Sequence, residues 1–140
     1  MLYVDTSVLV ALCTHEAKTA QAHKWYASCT DEIASAAWCI TEFASALGIK
    51  QRTGQLTADQ AHTAWAHFER MCANDLQLLP VESGHFNQAA MLCKNVSGAL
   101  RAGDALHLAC AIEARATSLI TLDSVMAKNA KRLKLKSVTL

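Results

Sequence analysis

The chain has few of the residues that interrupt a compact fold. Its 140 residues include one Pro and five Gly, too few for a flexible linker, and they contain no repeat or low-complexity stretch. No apolar run approaches the ~20 residues that a transmembrane helix needs. Asp5 interrupts the first apolar stretch and no basic segment precedes it, which disfavours a signal peptide. We therefore expect a single domain over residues 1–140, located in the cytoplasm and without membrane contact.

The chain also lacks the close Cys and His pairs that bind zinc. None of the six Cys forms a CxxC pair, and none of the six His forms an HExxH or HxxxH pair. Structural zinc sites draw on ligands at such spacings. We therefore expect buried, reduced thiols that pack as small hydrophobic side chains, with neither a zinc site nor a disulfide framework.

A strong excess of one charge is missing as well. The net charge is only +1, so the chain is not a general binder of polyanions. Five basic residues nevertheless concentrate near the C-terminus and leave the rest of the chain at −4: Lys128, Lys131, Arg132, Lys134 and Lys136. A basic edge beside an acidic pocket suits a nuclease, which attracts phosphate while it holds a metal. A solvated helix face is the alternative interpretation.

Short apolar segments alternate with helical patterns along the chain. The predicted strands are Leu2–Val4, Ile33–Ser35, Leu76–Val81, Ser118–Leu122 and, at an edge, Ser137–Leu140. The predicted helices run from Thr6 through Leu12, over 16–28, from Trp38 to Arg52, from a capping box at Thr57 to Ala73, around Phe86 to Cys93, from Gly103–Asp104 to Ile112, and after Asp123. Alternation of this kind predicts the α/β class, a three-layer α/β/α sandwich around a parallel sheet of four to five strands.

Four acidic residues stand where a turn or a helix can aim them at one edge of this sheet. Asp5 and Asp123 follow predicted strands, whereas Glu42 and Asp104 lie in helical segments. Ligands of parallel α/β sheets bind at the carboxyl ends of the strands. Carboxylates gathered in a partly desolvated site repel one another, and a hard divalent cation removes that penalty. Oxygen donors alone favour Mg²⁺, with Mn²⁺ as a substitute.

Each acid also has a purely structural explanation. Asp5, Asp104 and Asp123 precede helical patterns, where Asp is a favoured N-cap. Glu42 would need no explanation as a surface residue. Arg101, just before Asp104, is a candidate for contact with phosphate or with one of the acids.

The polar neighbours of the acids are equally ambiguous. Thr6, Ser7 and Thr121 either hydrogen-bond to the metal site or cap helices, and capping is the favoured interpretation of Thr6 and Ser7. His107, one turn into the following helix, is expected to be a satisfied, half-buried histidine.

The acids are carried in order by four segments: Leu2-Tyr-Val-Asp-Thr-Ser-Val-Leu, Thr41-Glu-Phe, Asp104-Ala-Leu-His-Leu-Ala and Ile120-Thr-Leu-Asp. This ordered set, which spans nearly the whole chain, resembles the PIN-domain family and, within it, the VapC-type toxin ribonucleases of bacterial toxin–antitoxin pairs. Two positions depart from the family's pattern. Ala114-Arg-Ala-Thr-Ser lacks the glycine often found there, and Met126 stands where an aromatic residue is common.

The resemblance implies a Mg²⁺-dependent endoribonuclease that acts as the toxin of such a pair. The family's acidic tetrad corresponds to Asp5, Glu42, Asp104 and Asp123. Asp5 and Asp104 are expected to ligate the metal most directly, and Glu42 and Asp123 partly through water. The metal would activate water for in-line attack on phosphorus, so the products should carry 5′-phosphate and 3′-hydroxyl ends. The implied partners are an RNA substrate, a second copy in a homodimer, and an antitoxin that offers a basic side chain to the acidic pocket.

Two other functions remain open. A metal-dependent phosphatase or phosphoacceptor would use Asp5 as the nucleophile, but Ser7 stands where a haloacid-dehalogenase-like enzyme has a second Asp. A non-catalytic PIN-like domain would keep the pocket only to bind RNA or a partner. Mg²⁺ binding at millimolar concentration distinguishes a nuclease from such a scaffold.

Overall fold

One parallel sheet of five strands forms the centre of the molecule. The computed structural model describes residues 1–140. Its strands are β1 (Leu2–Val4), β2 (Ile33–Ala36), β3 (Leu76–Leu79), β4 (Ser118–Thr121) and β5 (Ser137–Thr139). They are ordered β3-β2-β1-β4-β5, and every neighbouring pair is parallel. The predicted α/β class and parallel sheet are confirmed, with five strands.

Seven helices connect the strands. They are α1 (Thr6–Cys13), α2 (Thr19–Ser28), α3 (Trp38–Arg52), α4 (Ala58–Asn74), α5 (Ser83–Lys94), α6 (Ala102–Glu113) and α7 (Ser124–Arg132). A single 3-10 turn, Val96–Gly98, lies in the segment predicted as a loop. None of the helices combines the length and apolar character that crossing a membrane requires.

Element boundaries differ from the predictions by up to three residues. α2 begins at Thr19, because the preceding residues form a turn. β3 ends at Leu79, since Pro80 cannot donate a ladder hydrogen bond. The capping box of α4 is present: Thr57 Oγ1 accepts from Gln60 N, and the Gln60 side chain accepts from Thr57 N.

Each face of the sheet has its own core, because successive strand residues face opposite sides. Val4 belongs to the core shared with α1, α2, α3 and α4. Tyr3 belongs to the core shared with α6 and α7. In the first core the rings of Phe43 and Phe68 stack with centroids 4.2 Å apart, and each fully buried side chain of this size contributes roughly 1.5–3 kcal/mol. The predicted three-layer arrangement is therefore confirmed.

The end of α6 explains one departure from the family's pattern. Arg115 has a positive φ of 52°, a left-handed conformation that glycine adopts without strain. Arg115 N donates to Ile112 O, and Ala116 N donates to Ala111 O at 3.0 Å. These are the two hydrogen bonds of a Schellman C-cap. The position of the missing glycine is thus one that glycine would suit best.

The six cysteines are all free. Only Cys39 and Cys110 are buried, so the expectation of buried thiols is wrong for the other four, which are partly exposed. Burial raises the pKa of Cys13 and of Cys39 to about 12. These thiols therefore stay protonated at neutral pH and are poor nucleophiles and metal ligands.

Candidate active site

Asp5 and Asp123 follow two adjacent strands at the same edge of the sheet. Asp5 comes directly after β1, Asp123 lies just beyond β4, and the two strands are parallel neighbours. Both residues also cap helices. Asp5 Oδ1 accepts from Val8 N at 3.2 Å, and Asp123 Oδ1 accepts from Val125 N at 2.7 Å. Each of these two acids therefore caps a helix and also lies at the edge of the sheet where ligands of parallel α/β folds bind.

Asp5 is fixed by hydroxyl groups from two elements. Ser7 Oγ donates to Oδ1 at 2.6 Å, and Thr121 Oγ1 donates to Oδ2 at 2.5 Å. Leu122 N donates to Ser7 Oγ, and Asp123 N donates to Thr121 Oγ1. A backbone N–H can only donate, so both hydroxyl groups are free to direct their protons at the carboxylate. This network joins the ends of β1 and β4.

The capping interpretation of Thr6 and Ser7 is wrong. Asp5 is the N-cap of α1, and the two hydroxyl residues lie inside the first turn of the helix. Their side chains contact carboxylates instead: Ser7 donates to Asp5, and Thr6 Oγ1 donates to Glu42 Oε2. Sequence reasoning gave too little weight to Asp5, itself a favoured N-cap, which directly precedes them.

Burial makes ionisation of the Asp5 carboxyl less favourable. Only 4% of the residue is exposed. Burial raises the pKa of the Asp5 carboxyl above its usual range, although the hydrogen bonds from Ser7 and Thr121 act in the opposite direction. A cation beside Asp5 would therefore offset the desolvation of its charge.

Glu42 reaches the site from α3 and is held through one oxygen. Its Oε2 accepts from Thr6 Oγ1 and from His107 Nε2, each at 2.5 Å. Burial opposes ionisation, but the hydrogen bonds from His107 and Thr6 outweigh it, and the pKa of Glu42 is lowered. Its other oxygen, Oε1, lies beside Gly103, where an added Cβ would be 2.5 Å away.

Asp104 has no hydrogen-bonding partner for its carboxylate. It is the third residue of α6, and Arg101 occupies the N-cap position, so the capping interpretation of Asp104 is wrong. Burial raises the pKa of the Asp104 carboxyl, and the charges of Asp123, Asp5 and Glu42 raise it further. The positive charge of Arg101 lowers it. Asp104 is thus the acid of the site whose charge is least compensated.

All four predicted acids line one pocket of about 320 Å³. The predicted neighbours Thr6 and Ser7 line it as well, whereas Thr121 is fully buried behind Asp5. His107 also lines the pocket; it is satisfied, as expected, but it is 1% exposed rather than half-buried.

Sequence reasoning missed a fifth carboxylate. Glu16, in the turn after α1, lines the pocket and forms an ion pair with Lys50 at 2.9 Å. No motif surrounds Glu16. The available signal was Lys50, which lies eight residues after Glu42 in α3 and so on a similar side of the helix.

The donor set fits a hard divalent cation by its chemistry. The pocket combines several carboxylates, hydroxyl groups and one His whose Nε2 is engaged by Glu42, and carboxylate oxygen is the donor that Mg²⁺ and Mn²⁺ favour. No group of three or more His, Cys, Asp and Glu side chains is already close enough to hold an ion. Binding would therefore require the carboxylates to move closer together, and a cation would offset the mutual repulsion of Asp104, Asp123, Asp5 and Glu42.

The basic residues near the C-terminus lie mostly away from this pocket. α7 begins at the site, with Asp123 as its N-cap, and Lys131 and Arg132 lie in its last turn. At ~1.5 Å per residue that turn is about 12 Å further along the helix. Lys134 and Lys136 lie in the turn that leads into the start of β5, which is the opposite edge of a parallel sheet. Most of this basic edge therefore lies away from the pocket, and Lys128, in the middle of α7, is its member closest along the helix to Asp123.

The comparisons with known proteins agree with the fold. A family model described as PIN domain matches residues 2–132. No curated protein matches the sequence.

Several solved structures share the fold. VapC20 of Mycobacterium tuberculosis, described as a sarcin-ricin loop cleaving toxin, is 16% identical, and the match covers 92% of this chain and 95% of that chain with a TM-score of 0.75. PAE2754 of Pyrobaculum aerophilum is 23% identical, with 98% and 83% covered and a TM-score of 0.69. VapBC2 of Rickettsia felis, bound to a DNA fragment from its promoter, is 14% identical, with 99% and 98% covered and a TM-score of 0.65. At these identities the similarity establishes a common fold.

Proposed function

The chain belongs to the PIN-domain family, and from that premise we propose that it is a Mg²⁺-dependent endoribonuclease and the toxin of a toxin–antitoxin pair. The observation that carries the proposal is the pocket at the carboxyl edge of the sheet. Five carboxylates line it, and the pKa of one, Asp104, is raised by burial and by the charges of Asp123, Asp5 and Glu42. Such an excess of negative charge needs a cation, and Mg²⁺ with Mn²⁺ as a substitute suits oxygen donors.

The four acids have different hydrogen-bonding states, which suggests different roles. Asp104 accepts no hydrogen bond, and Asp5 is held in one orientation by hydrogen bonds to both of its oxygens, so these two would hold the ion directly. Glu42 and Asp123 have one oxygen each engaged, by His107 and by the first turn of α7. They would complete the site through the other oxygen or through water. When bound, Mg²⁺ supplies activation of water and neutralisation of phosphoryl charge.

The substrate we propose is RNA with an unpaired segment. VapC20, which shares the fold, is described as cleaving the sarcin-ricin loop, and single-stranded loops are the usual targets of specific RNA recognition. Water as the nucleophile would leave 5′-phosphate and 3′-hydroxyl ends.

We further propose two protein partners. The pocket is rich in carboxylates, with Lys50 as the paired cation of Glu16, so a basic side chain of an antitoxin peptide could occupy the place of the metal. Several structures with the same fold are toxin–antitoxin complexes. A homodimer in the cytoplasm is the expected form of the free protein.

RNA cleavage should depend on Mg²⁺. Purified protein is expected to cut a loop-containing RNA in millimolar Mg²⁺ or Mn²⁺, to stop in EDTA, and to resume when Mg²⁺ is restored. Sequencing of the product ends should show 5′-phosphates. Asp104→Asn controls for contaminating nucleases, because it removes site charge without removing a hydrogen bond. Cleavage that continues in EDTA, or that leaves 2′,3′-cyclic phosphate ends, would contradict the mechanism. Calorimetry that detects no Mg²⁺ binding would favour a non-catalytic domain.

Gly103 should be needed for activity and not for stability. An added Cβ would lie 2.5 Å from Glu42 Oε1 and 3.3 Å from Trp38 Nε1, so Gly103→Ala should displace the carboxylate and lower cleavage. Ala is favoured over Gly in a helix by roughly 0.5–1 kcal/mol, which offsets weakening of the hydrogen bonds from Thr6 and His107 to Glu42, so the melting temperature should change little. Gly84→Ala is the matched control, because Gly84 is also the second residue of its helix and a Cβ there meets nothing within 4 Å. Equal activity of the two variants would show that this space is not needed.

A further inference from the structure

We propose that His107 is a positioning residue that holds Glu42 in place through a chain of donors beginning at a backbone amide of the sheet. The inference rests on the proposed function, in which Glu42 is part of the metal site. His107 is 1% exposed and lies on α6, between Tyr3 of β1 and Glu42 of α3. It contacts both, through different ring nitrogens.

The direction of the chain follows from its first member. Ala36 N donates to Tyr3 Oη at 3.0 Å, and a backbone N–H cannot accept. Tyr3 Oη lies 2.7 Å from His107 Nδ1. Since Tyr3 already accepts from Ala36, its own proton is directed at Nδ1, which must then be the unprotonated nitrogen. The imidazole proton is left on Nε2, and it is donated to Glu42 Oε2 at 2.5 Å.

The opposite arrangement would leave a buried proton unpaired. If Nδ1 carried a hydrogen, Tyr3 Oη would accept from both Ala36 and His107, and the Tyr3 proton would need another acceptor. An unprotonated Nε2 would also place two acceptors 2.5 Å apart, because the ionised Glu42 carboxylate can only accept. An unsatisfied buried donor costs about 1–3 kcal/mol. The arrangement with the donated proton on Nε2 is therefore favoured.

This tautomer determines how Glu42 meets the site. Oε2 receives the Nε2–H of His107 and the hydroxyl proton of Thr6. Both donors sit on elements that also carry Asp5 or Asp104. His107 thus links the position of Glu42 to the other two acids and leaves Oε1 as the oxygen available to an ion or to water.

His85 provides an internal reference for the assignment. It is 6% exposed, its Nδ1 accepts from Glu82 N at 2.8 Å, and its Nε2 lies 2.9 Å from Glu113 Oε2. The same argument assigns Nε2–H to His85. Glu113 ends α6, about 14 Å along the helix from Asp104 at ~1.5 Å per residue, so the pair lies away from the site.

The first test is spectroscopic. ¹⁵N NMR of the metal-free protein at neutral pH should show His107 as the Nε2–H tautomer, with nitrogen shifts that resemble those of His85. Observation of the Nδ1–H tautomer, which leaves no proton on Nε2 to donate to Glu42, would overturn the proposal. This readout needs no RNA cleavage, so it stands or fails separately from the nuclease function.

The second test compares substitutions that keep or remove the donor. His107→Gln retains an N–H near the position of Nε2, whereas His107→Leu removes it. His107→Leu should weaken Mn²⁺ binding, followed by electron paramagnetic resonance, and should lower kcat for RNA by roughly 10–100-fold. His107→Gln should recover most of both losses. His85→Leu, the matched control, should change melting temperature and leave Mn²⁺ affinity and kcat unaltered.

Two outcomes would contradict the positioning role. One is a folded His107→Leu protein with Mn²⁺ affinity and kcat equal to those of the wild type. The other is a folded His107→Gln protein as impaired as His107→Leu, which would indicate a need for the ring itself. If His107→Leu does not fold, the Gln variant and the tautomer measurement still test the positioning role of His107.

Discussion

Asp104→Asn is expected to abolish Mg²⁺-dependent RNA cleavage and at the same time to make the metal-free protein more stable. Cleavage should fall by roughly a thousandfold, the effect of losing several kcal/mol of metal-assisted stabilisation. Stability should rise because the Asp104 carboxylate accepts no hydrogen bond and faces the charges of Asp123, Asp5 and Glu42. The amide removes that repulsion and leaves no donor unpaired. If Asp104 had a structural role instead, Asp104→Asn would lower the stability of the metal-free protein.

The gain in stability should depend on pH. In the folded metal-free protein the pKa of Asp104 is raised above its ordinary value of 3.8. The wild type therefore loses stability as pH rises through the folded pKa, while Asn has no charge to acquire. The difference in free energy of unfolding should be full at neutral pH and should vanish below the ordinary value. Urea titrations of both proteins between neutral and acidic pH measure it.

In Mg²⁺ the wild type should become more stable than Asp104→Asn. Free Mg²⁺ about 100-fold above its Kd stabilises the folded state by ~2.7 kcal/mol, and only the wild type should show this gain. Glu69→Gln is the control, since it removes one exposed negative charge from α4, outside the pocket. If Asp104→Asn melts below the wild type without metal, or gains the same stability from Mg²⁺, the assignment of Asp104 as a ligand is wrong.

The fold was predictable from the sequence because its signals are local. Strand and helix patterns alternate with little ambiguity, and the capping box at Thr57 marks one helix start. Parallel topology then follows from the connections. The predictions that failed concern helix N-caps, where neighbouring residues compete for the same position. Asp5 takes the cap of α1 from Thr6 and Ser7, and Arg101 occupies the N-cap of α6 in place of Asp104.

The pocket was predictable only in part, because its polar contacts join distant segments. Sequence order indicates that Asp5 and Asp123 share an edge of the sheet, since both follow parallel strands. It does not indicate that Glu42 Oε2 meets His107, 65 residues away, or that Glu16 lines the pocket. These contacts depend on how α3 and α6 pack across the sheet, and no local pattern encodes that packing.

The second large effect is expected at Asp5, where charge and hydrogen bonding can be separated. Asp5→Asn and Asp5→Ala should both lower RNA cleavage by roughly a thousandfold, because either removes a charged ligand. Their stabilities should differ. Asn is as good an N-cap as Asp. Its amide nitrogen cannot accept from Thr121, but Asn also removes a buried charge, so Asp5→Asn should keep its fold and stay within about 1 kcal/mol of the wild type. Asp5→Ala leaves Val8 N unpaired and Ser7 and Thr121 without their acceptor, and should lose about 1–3 kcal/mol.

Comparison with a second cap separates the two roles of Asp5. Thr57→Ala removes the side-chain cap of α4, which is far along the chain and outside the pocket, so it should cost about 1 kcal/mol and leave cleavage intact. Asp5→Asn should do the reverse, with stability near that of the wild type and no cleavage. Urea unfolding and RNA cleavage, measured on the same preparations, test both statements. Wild-type cleavage by Asp5→Asn would show that Asp5 is only a helix cap, and the capping geometry at the end of β1 would then be its full explanation.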